Sequence, residues 1–217
     1  MKVKLLAGAV AALALIAGTA QAADLNANSL KDPASPYTGD NAFSGFYIDG
    51  GIGGAVTTTT FDKTIAGSLK PSNYSFSGFA ADADIGYRFA SGYWRYIVYG
   101  NIGGQSITLD NAGVNQNLKY GGGFGIGYVL HGALWSLNTG YSGTQKQGGG
   151  VNQTINSWTI MPRVDVPLTK NISAFAATEI DYAPDQTIKG VSFHQLEIYP
   201  KVGLSISLGS LAGGSLK

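Results

Sequence analysis

The sequence predicts an all-β fold, an eight-stranded antiparallel transmembrane β-barrel preceded by an N-terminal signal peptide. Three observations carry this. From Phe43 onward apolar and polar residues alternate with period 2 in eight successive segments, the connectors between the segments alternate long and short, and aromatic residues collect at both ends of the apolar parity.

Composition excludes several classes. Of 217 residues 32 are Gly, about twice the usual share of roughly 7%, while Pro stays at 7, so neither collagen nor a Pro-rich disordered chain fits. Lys and Arg number 14 against 13 Asp and Glu, which lacks the basic surplus of a nucleic-acid binder. With no Cys there is no disulfide framework, so stability must come from backbone hydrogen bonds and packing.

Lys2 and Lys4 precede an uncharged apolar run from Leu5 to about Ala17, and Ala20-Gln21-Ala22 closes it. A positive start, an apolar stretch and an A-x-A site predict a signal peptide over 1–22, cleaved between Ala22 and Ala23. The run is short of the ~20 residues a spanning helix needs. Residues 23–42 are polar, contain prolines and show no period, as a periplasmic linker would.

The barrel is expected over 43–208, with a tail over 209–217. The first segment sets Phe46, Ile48, Ile52 and Val56 outward against Tyr47 and Asp49. The second sets Phe79, Ile85, Tyr87 and Phe89 against Asp82, Asp84 and Arg88. The third opposes Trp94, Tyr96, Val98 and Ile102 to Arg95, Tyr99 and Asn101, and the fourth Leu118, Tyr120, Phe124, Ile126 and Tyr128 to Lys119 and four glycines. Trp135, Leu137 and Tyr141 face away from Ser136 and Asn138 in the fifth. Trp158, Ile160, Pro162 and Val164 face away from Arg163 and Asp165 in the sixth. The seventh opposes Ile172, Ala174, Ile180 and Tyr182 to Phe175, Glu179 and Asp181. The eighth opposes Leu196, Ile198, Val202, Leu204, Ile206 and Leu208 to Gln195, Glu197, Tyr199, Lys201 and Ser205.

Long connectors are expected at Thr57 to Asn73, Ser106 to Asn115, Gly143 to Thr154 and Ala183 to His194, with short ones at Ser91 to Tyr93, His131 to Ala133 and Thr169 to Asn171. That is the pattern of external loops and periplasmic turns, with both barrel termini on the periplasmic side. Trp94, Trp135 and Tyr128 near the short turns, and Tyr120, Tyr141, Trp158 and Tyr182 near the long connectors, read as two interfacial girdles. Pro162 and Pro200 fall inside strands, where bulges are expected.

The inward parity carries Asp49, Asp82, Asp84, Asp165, Glu179, Asp181 and Glu197 against Arg88, Arg95, Lys119, Arg163 and Lys201. Eight strands enclose a space that side chains fill, so these charges are expected to neutralise one another in a salt-bridged plug, with Arg88, Arg95 and Arg163 pairing with acids. Inward glycines at 121, 123, 125 and 127 leave room for neighbours, Tyr99 and Arg95 being the expected occupants. The alternative is a narrow channel for ions or small solutes. No metal, cofactor or catalytic residue is expected. Asp82 and Asp84 share their face with Arg88, Gly50 to Gly54 has no helix after it to form a phosphate loop, and His194 lacks the closely spaced Ser of a lipid-modifying enzyme.

The opening Phe43-Ser44-Gly45-Phe46-Tyr47-Ile48-Asp49-Gly50-Gly51-Ile52-Gly53-Gly54 resembles that of small porin-family surface proteins of alpha-proteobacteria, related in fold to opacity-type and OmpA-type barrels. Phe43 stands where the family commonly has Trp, and Asp49 where it has Gly. Lys201, Gly203, Ile206 and Leu208 resemble the family's terminal assembly signal, moved inward from the chain end. The resemblance implies an outer-membrane surface protein of structural or interaction type. It implies contacts with membrane lipid and lipopolysaccharide, insertion by the barrel-assembly machinery and an unidentified extracellular ligand. It places no haem ligand on any residue here.

Overall fold

A strand with period-2 alternation has two chemically different faces, and joining eight of them edge to edge separates the faces into a wall and a lumen. The computed structural model describes residues 43–61, 73–109, 114–148, 151–188 and 191–209. They form β1 (Gly45–Phe61), β2 (Asn73–Ser91), β3 (Trp94–Leu109), β4 (Val114–Leu130), β5 (Ala133–Gly148), β6 (Val151–Pro167), β7 (Ile172–Ile188) and β8 (Val191–Gly209). Each strand pairs antiparallel with the next, and β8 pairs with β1 to close the barrel. The expected signal peptide with its Ala22 and Ala23 junction, the 23–42 linker and the tail beyond Gly209 lie outside the described residues.

The stagger follows from one circuit of paired residues: Gly86, Tyr99, Gly123, Gly140, Thr159, Asp181, Glu197, Thr57 and back to β2 at Phe76. The circuit returns to β2 ten residues from its start, at 76 instead of 86. Eight strands with that shear must tilt by roughly 40° to the axis, leaving an interior that side chains can fill.

The wall follows the expected parity. Val98, Phe124, Ile126, Ile160 and Leu204 are exposed, while Tyr47, Asp49, Tyr99, Asn138, Arg163 and Lys201 are buried. At the turn end Trp94 and Tyr128 meet edge to face with ring centroids 5.0 Å apart. At the other end Tyr141 and Trp158 do so at 5.5 Å. Offset and edge-on pairs of this kind add to the area they bury.

The long connectors expected from composition are mostly strand. β1 continues to Phe61, β5 to Gly148 and β7 to Ile188, so only 149–150 and 189–190 join β5 to β6 and β7 to β8, and 110–113 join β3 to β4. Only the first connector, 62–72, stays long. A polar run reads as loop by composition, yet Thr is β-branched and suits a pleated surface. Thr57, Thr59 and Phe61 turn inward and are buried, and Thr58 Oγ lies 3.3 Å from Ser75 Oγ on the neighbouring strand. A bilayer needs about 9–11 residues of tilted strand. These strands have 16 to 19, and their outward faces beyond the second girdle carry Thr58, Ser75, Ser77, Asn156 and Ser192.

The opposite connectors are tight, as expected. His131 and Gly132 have φ of 51° and 77°, the two positive values a two-residue type I′ turn demands. The third turn, 168–171, is fastened by Leu168 N–H and Thr169 N–H donating to Ile172 O at 2.8 and 2.9 Å.

The bulges expected at Pro162 and Pro200 do not form. β6 and β7 keep one register on both sides of Pro162, from Ile160↔Ile180 to Arg163↔Ala177, and β8 and β1 do so around Pro200, from Val56↔Ile198 to Gly53↔Lys201. A missing N–H deletes a rung, whereas a bulge needs an inserted residue. The register of β7 on β8 shifts instead between Ala183 and Gln186, around Pro184.

The inward glycines of β4 are filled by neighbours other than those expected. A Cβ at Gly125 would lie 2.0 Å from Asn138 Oδ1, and one at Gly127 would lie 2.7 Å from Leu134 Cδ1, so β5 rather than β3 takes that space. Tyr47 lies over Gly86, and the Phe175 ring lies over Gly51 and Gly203.

Candidate functional site

Every inward charge that parity assigned lies in the lumen, and all but Asp82 are fully buried. The side chains sort into two clusters along the axis. In the lower one, nearer the tight turns, Arg163 is the centre. Its Nε and Nη2 donate to the two oxygens of Asp165 at 2.8 and 2.5 Å, its Nη1 donates to Asp49, and Asp84 Oδ2 lies 4.0 Å away. Arg88 Nη2 donates to the same Asp165 at 3.2 Å and to Ser205 Oγ at 3.4 Å. Each guanidinium also covers an aromatic face at 4.0 Å, Arg88 over Tyr47 and Arg163 over Phe175.

The upper cluster is built on two lysines. Lys119 Nζ is 2.6 Å from Glu179 and also binds Asp181, while Lys201 Nζ donates to Glu179 at 2.9 Å and to Asp82. Hydroxyls and an amide meet further oxygens of Asp181 and Glu197, while Asp49 Oδ1 and Asp84 Oδ1 are buried without a hydrogen bond among the described residues. Thr159 Oγ donates to Asp181 at 2.5 Å, Thr57 Oγ donates to Glu197 at 3.1 Å, and Gln105 Nε2 donates to Glu197.

These bonds span the barrel. Arg88 and Asp165 stand on β2 and β6, opposite walls of an eight-strand ring, and Lys119 on β4 reaches Asp181 on β7. Such contacts form only where the interior is occupied by protein. Between the clusters and the upper end, Ala80, Asn101, Gly103, Gln105, Lys119 and Tyr199 line a cavity with room for about one water molecule. Apolar side chains close both ends: Leu134 and Val129 near the turns, and Phe61, Ile155 and Phe193 at the other, with the two phenyl rings 5.9 Å apart.

Arg95 Nη1 donates to the carbonyl oxygens of Gly92 and Trp94 at 2.6 and 2.8 Å, which fastens the first turn. Lys146 was missed, because its segment reads as a loop. It is buried in the lumen and donates to Gln195 Oε1, which also accepts from Thr59 at 3.4 Å. Continuing the period-2 pattern of β5 past Gly143 was the signal that could have found it. Asp82 is held by Lys201, which occupies the place a cation would take beside Asp84. Of the histidines, His131 sits in a turn and His194 at the far rim, where Nδ1 lies 3.6 Å from Asp185 Oδ1 with both side chains exposed. In the last strand Lys201 points into the lumen, while Ile206 and Leu208 face outward.

An eight-stranded closed barrel with an apolar wall, two aromatic girdles and a polar filled lumen is the architecture of outer-membrane β-barrels. Solved structures of that class are similar to it. Neisserial surface protein A (NspA) matches with a TM-score of 0.50 and 18% identity over 76% of this chain and 98% of the other. Ail, the attachment invasion locus protein of Yersinia pestis, matches with a TM-score of 0.36 and 13% identity over 75% and 99% of the two chains. An outer membrane channel from Pseudomonas putida F1 matches with a TM-score of 0.32 and 11% identity over 82% and 99%. No protein-family model matches the chain, and no curated protein matches it. At 18% identity the likeness to NspA is one of fold.

Proposed function

We propose that this protein is a non-enzymatic surface barrel of the outer membrane, of the porin-family type that its opening Phe43 to Gly54 resembles. In this reading residues 1–22 are removed at Ala22 and Ala23, the linker and the tight turns lie in the periplasm, and the extended strand ends face outside. Lipid and lipopolysaccharide surround the wall, the strand around Gly203, Ile206 and Leu208 is read by the assembly machinery, and the strand ends meet an extracellular ligand. The observation that supports a surface role over conduction is the set of ion pairs crossing the lumen, Arg88 to Asp165 and Lys119 to Asp181, because an open pore needs that space for water and ions.

Two measurements test it. In planar bilayers the refolded barrel is expected to give no stable conductance, and steady single-channel steps would establish the channel instead. On whole cells a membrane-impermeant thiol reagent is expected to modify Ser75→Cys but neither Ser91→Cys nor Lys170→Cys. Modification of the latter pair alone would turn the molecule upside down.

A further inference from the structure

A closed barrel has no strand edge, yet this one reopens an edge above the outer girdle. The β6–β7 ladder ends at Trp158↔Tyr182, and β6 continues from there back to Val151 while β7 continues to Ile188. Carried two residues further, that register would set Asn156 opposite Pro184, which has no N–H to give. Gln186 supplies what is missing. Its Nε2 donates to Asn156 O at 2.6 Å and its Oε1 accepts from Asn156 N–H at 3.3 Å, so one side-chain carboxamide takes both bonds of a peptide group. A second glutamine, Gln153, bridges to Thr187 O at 3.0 Å. Side chains thus hold the strands apart where backbone would have held them together.

We propose that this seam is a docking site for one extended segment of an extracellular polypeptide, which adds as a strand along the Asn152–Asn156 edge of β6 after displacing the Gln186 carboxamide. The inference rests on the surface-protein reading and deepens it. Three features fix the occupant. The group already seated on the edge is an amide, so backbone is the chemistry it accepts. The slot lies between two strands, so a folded sheet edge cannot enter and a single extended strand can. Ile155 and Ala183 flank it on the inner side, fully buried, while Thr154 and Asn156 flank it outside, so the guest alternates small apolar residues with uncharged polar ones.

The test uses the full chain refolded in detergent, with fluorescence anisotropy of a labelled seven-residue peptide of alternating Val and Thr, acetylated and amidated at its ends. The peptide is expected to bind, and Gln186→Ala to bind it at least about three- to tenfold more tightly, because the competing carboxamide with its two hydrogen bonds is gone. Gln186→Glu keeps the acceptor but loses the donor to Asn156 O, so it should bind the peptide more tightly than the unaltered barrel does, and it serves as the test where the alanine variant folds poorly. The same peptide N-methylated at alternate residues should not bind. Thr154→Cys with Gln186→Cys, bridged by a short bis-maleimide, should lose binding. Equal binding to the bridged barrel, or no binding to either the unaltered barrel or the Gln186 variants, overturns the proposal. Surface labelling at Ser75→Cys separates the two readings: a labelled barrel that ignores the peptide loses only the docking site, and a barrel that is not labelled loses the surface role itself.

Discussion

Arg163→Ala should lower the stability of the refolded barrel by about 3–5 kcal/mol, the usual cost of leaving a buried carboxylate without its partner. The size follows from geometry. Arg163 is the one guanidinium that binds Asp165 through two nitrogens, and it donates to Asp49 as well, with the three side chains at 4%, 1% and 1% exposure. Its loss leaves Asp165 with the 3.2 Å bond from Arg88 and takes the guanidinium away from Asp49. Arg88→Ala should cost less, about 1–3 kcal/mol, because both Asp165 oxygens keep Arg163. Arg163→Lys should fall between, since an ammonium cannot reproduce the planar fork. Adding Asp49→Asn and Asp165→Asn to Arg163→Ala should recover much of the loss by removing the stranded charges. The urea midpoint in lipid, at constant slope, measures each variant. A midpoint unchanged in Arg163→Ala would mean a hydrated lumen, and the conducting alternative would then follow.

The wall, the lumen set and the order of strands were legible because period 2 is a covalent property of extended chain, and one buried face keeps it in register. What composition obscured lies at the strand ends opposite the tight turns. The four threonines from Thr57 to Thr60 and the segment around Lys146 look like loop, yet their alternation continues, and the lumen they line holds Thr57 on Glu197, Thr59 on Gln195 and Lys146 on Gln195. Partners across the lumen were not legible either. Parity says that Arg163 and Asp49 share an interior, but their meeting depends on the ten-residue stagger, and stagger is set by all eight registers at once. Asn138 rather than Tyr99 fills the space at Gly125 because the β4–β5 register alone sets the two directly opposite each other. The missing N–H of a proline inside a strand predicts a bulge, but at Pro162 and Pro200 it deletes a rung without shifting the register, and Pro184 leaves a place that Gln186 fills.

Arg on the lipid face at mid-depth should cost about 2–4 kcal/mol, and near the rim close to nothing. Phe124 stands halfway between Tyr120 and Tyr128 on β4 and is 65% exposed, so Phe124→Arg tests the deepest point of the belt. Ile126→Arg, one step nearer the turn-side girdle, should cost less, and Ser77→Arg, on the outward face of β2 beyond Phe79, should cost little. By parity alone Ser205→Arg would serve as the tolerant inward control, with lumen acids to receive it. The structure removes that role. Ser205 is buried and accepts from Arg88, so an arginine there would overfill the lumen beside a like charge, and its cost should rival that of Phe124→Arg for a different reason. The two causes separate on measurement. A wall defect impairs insertion into lipid and eases in short-chain detergent, where a micelle can thin around the charge, whereas a packing defect persists in both. Equal stability of Phe124→Arg and Ser77→Arg in lipid would mean that no apolar solvent surrounds β4, and the wall would then face water.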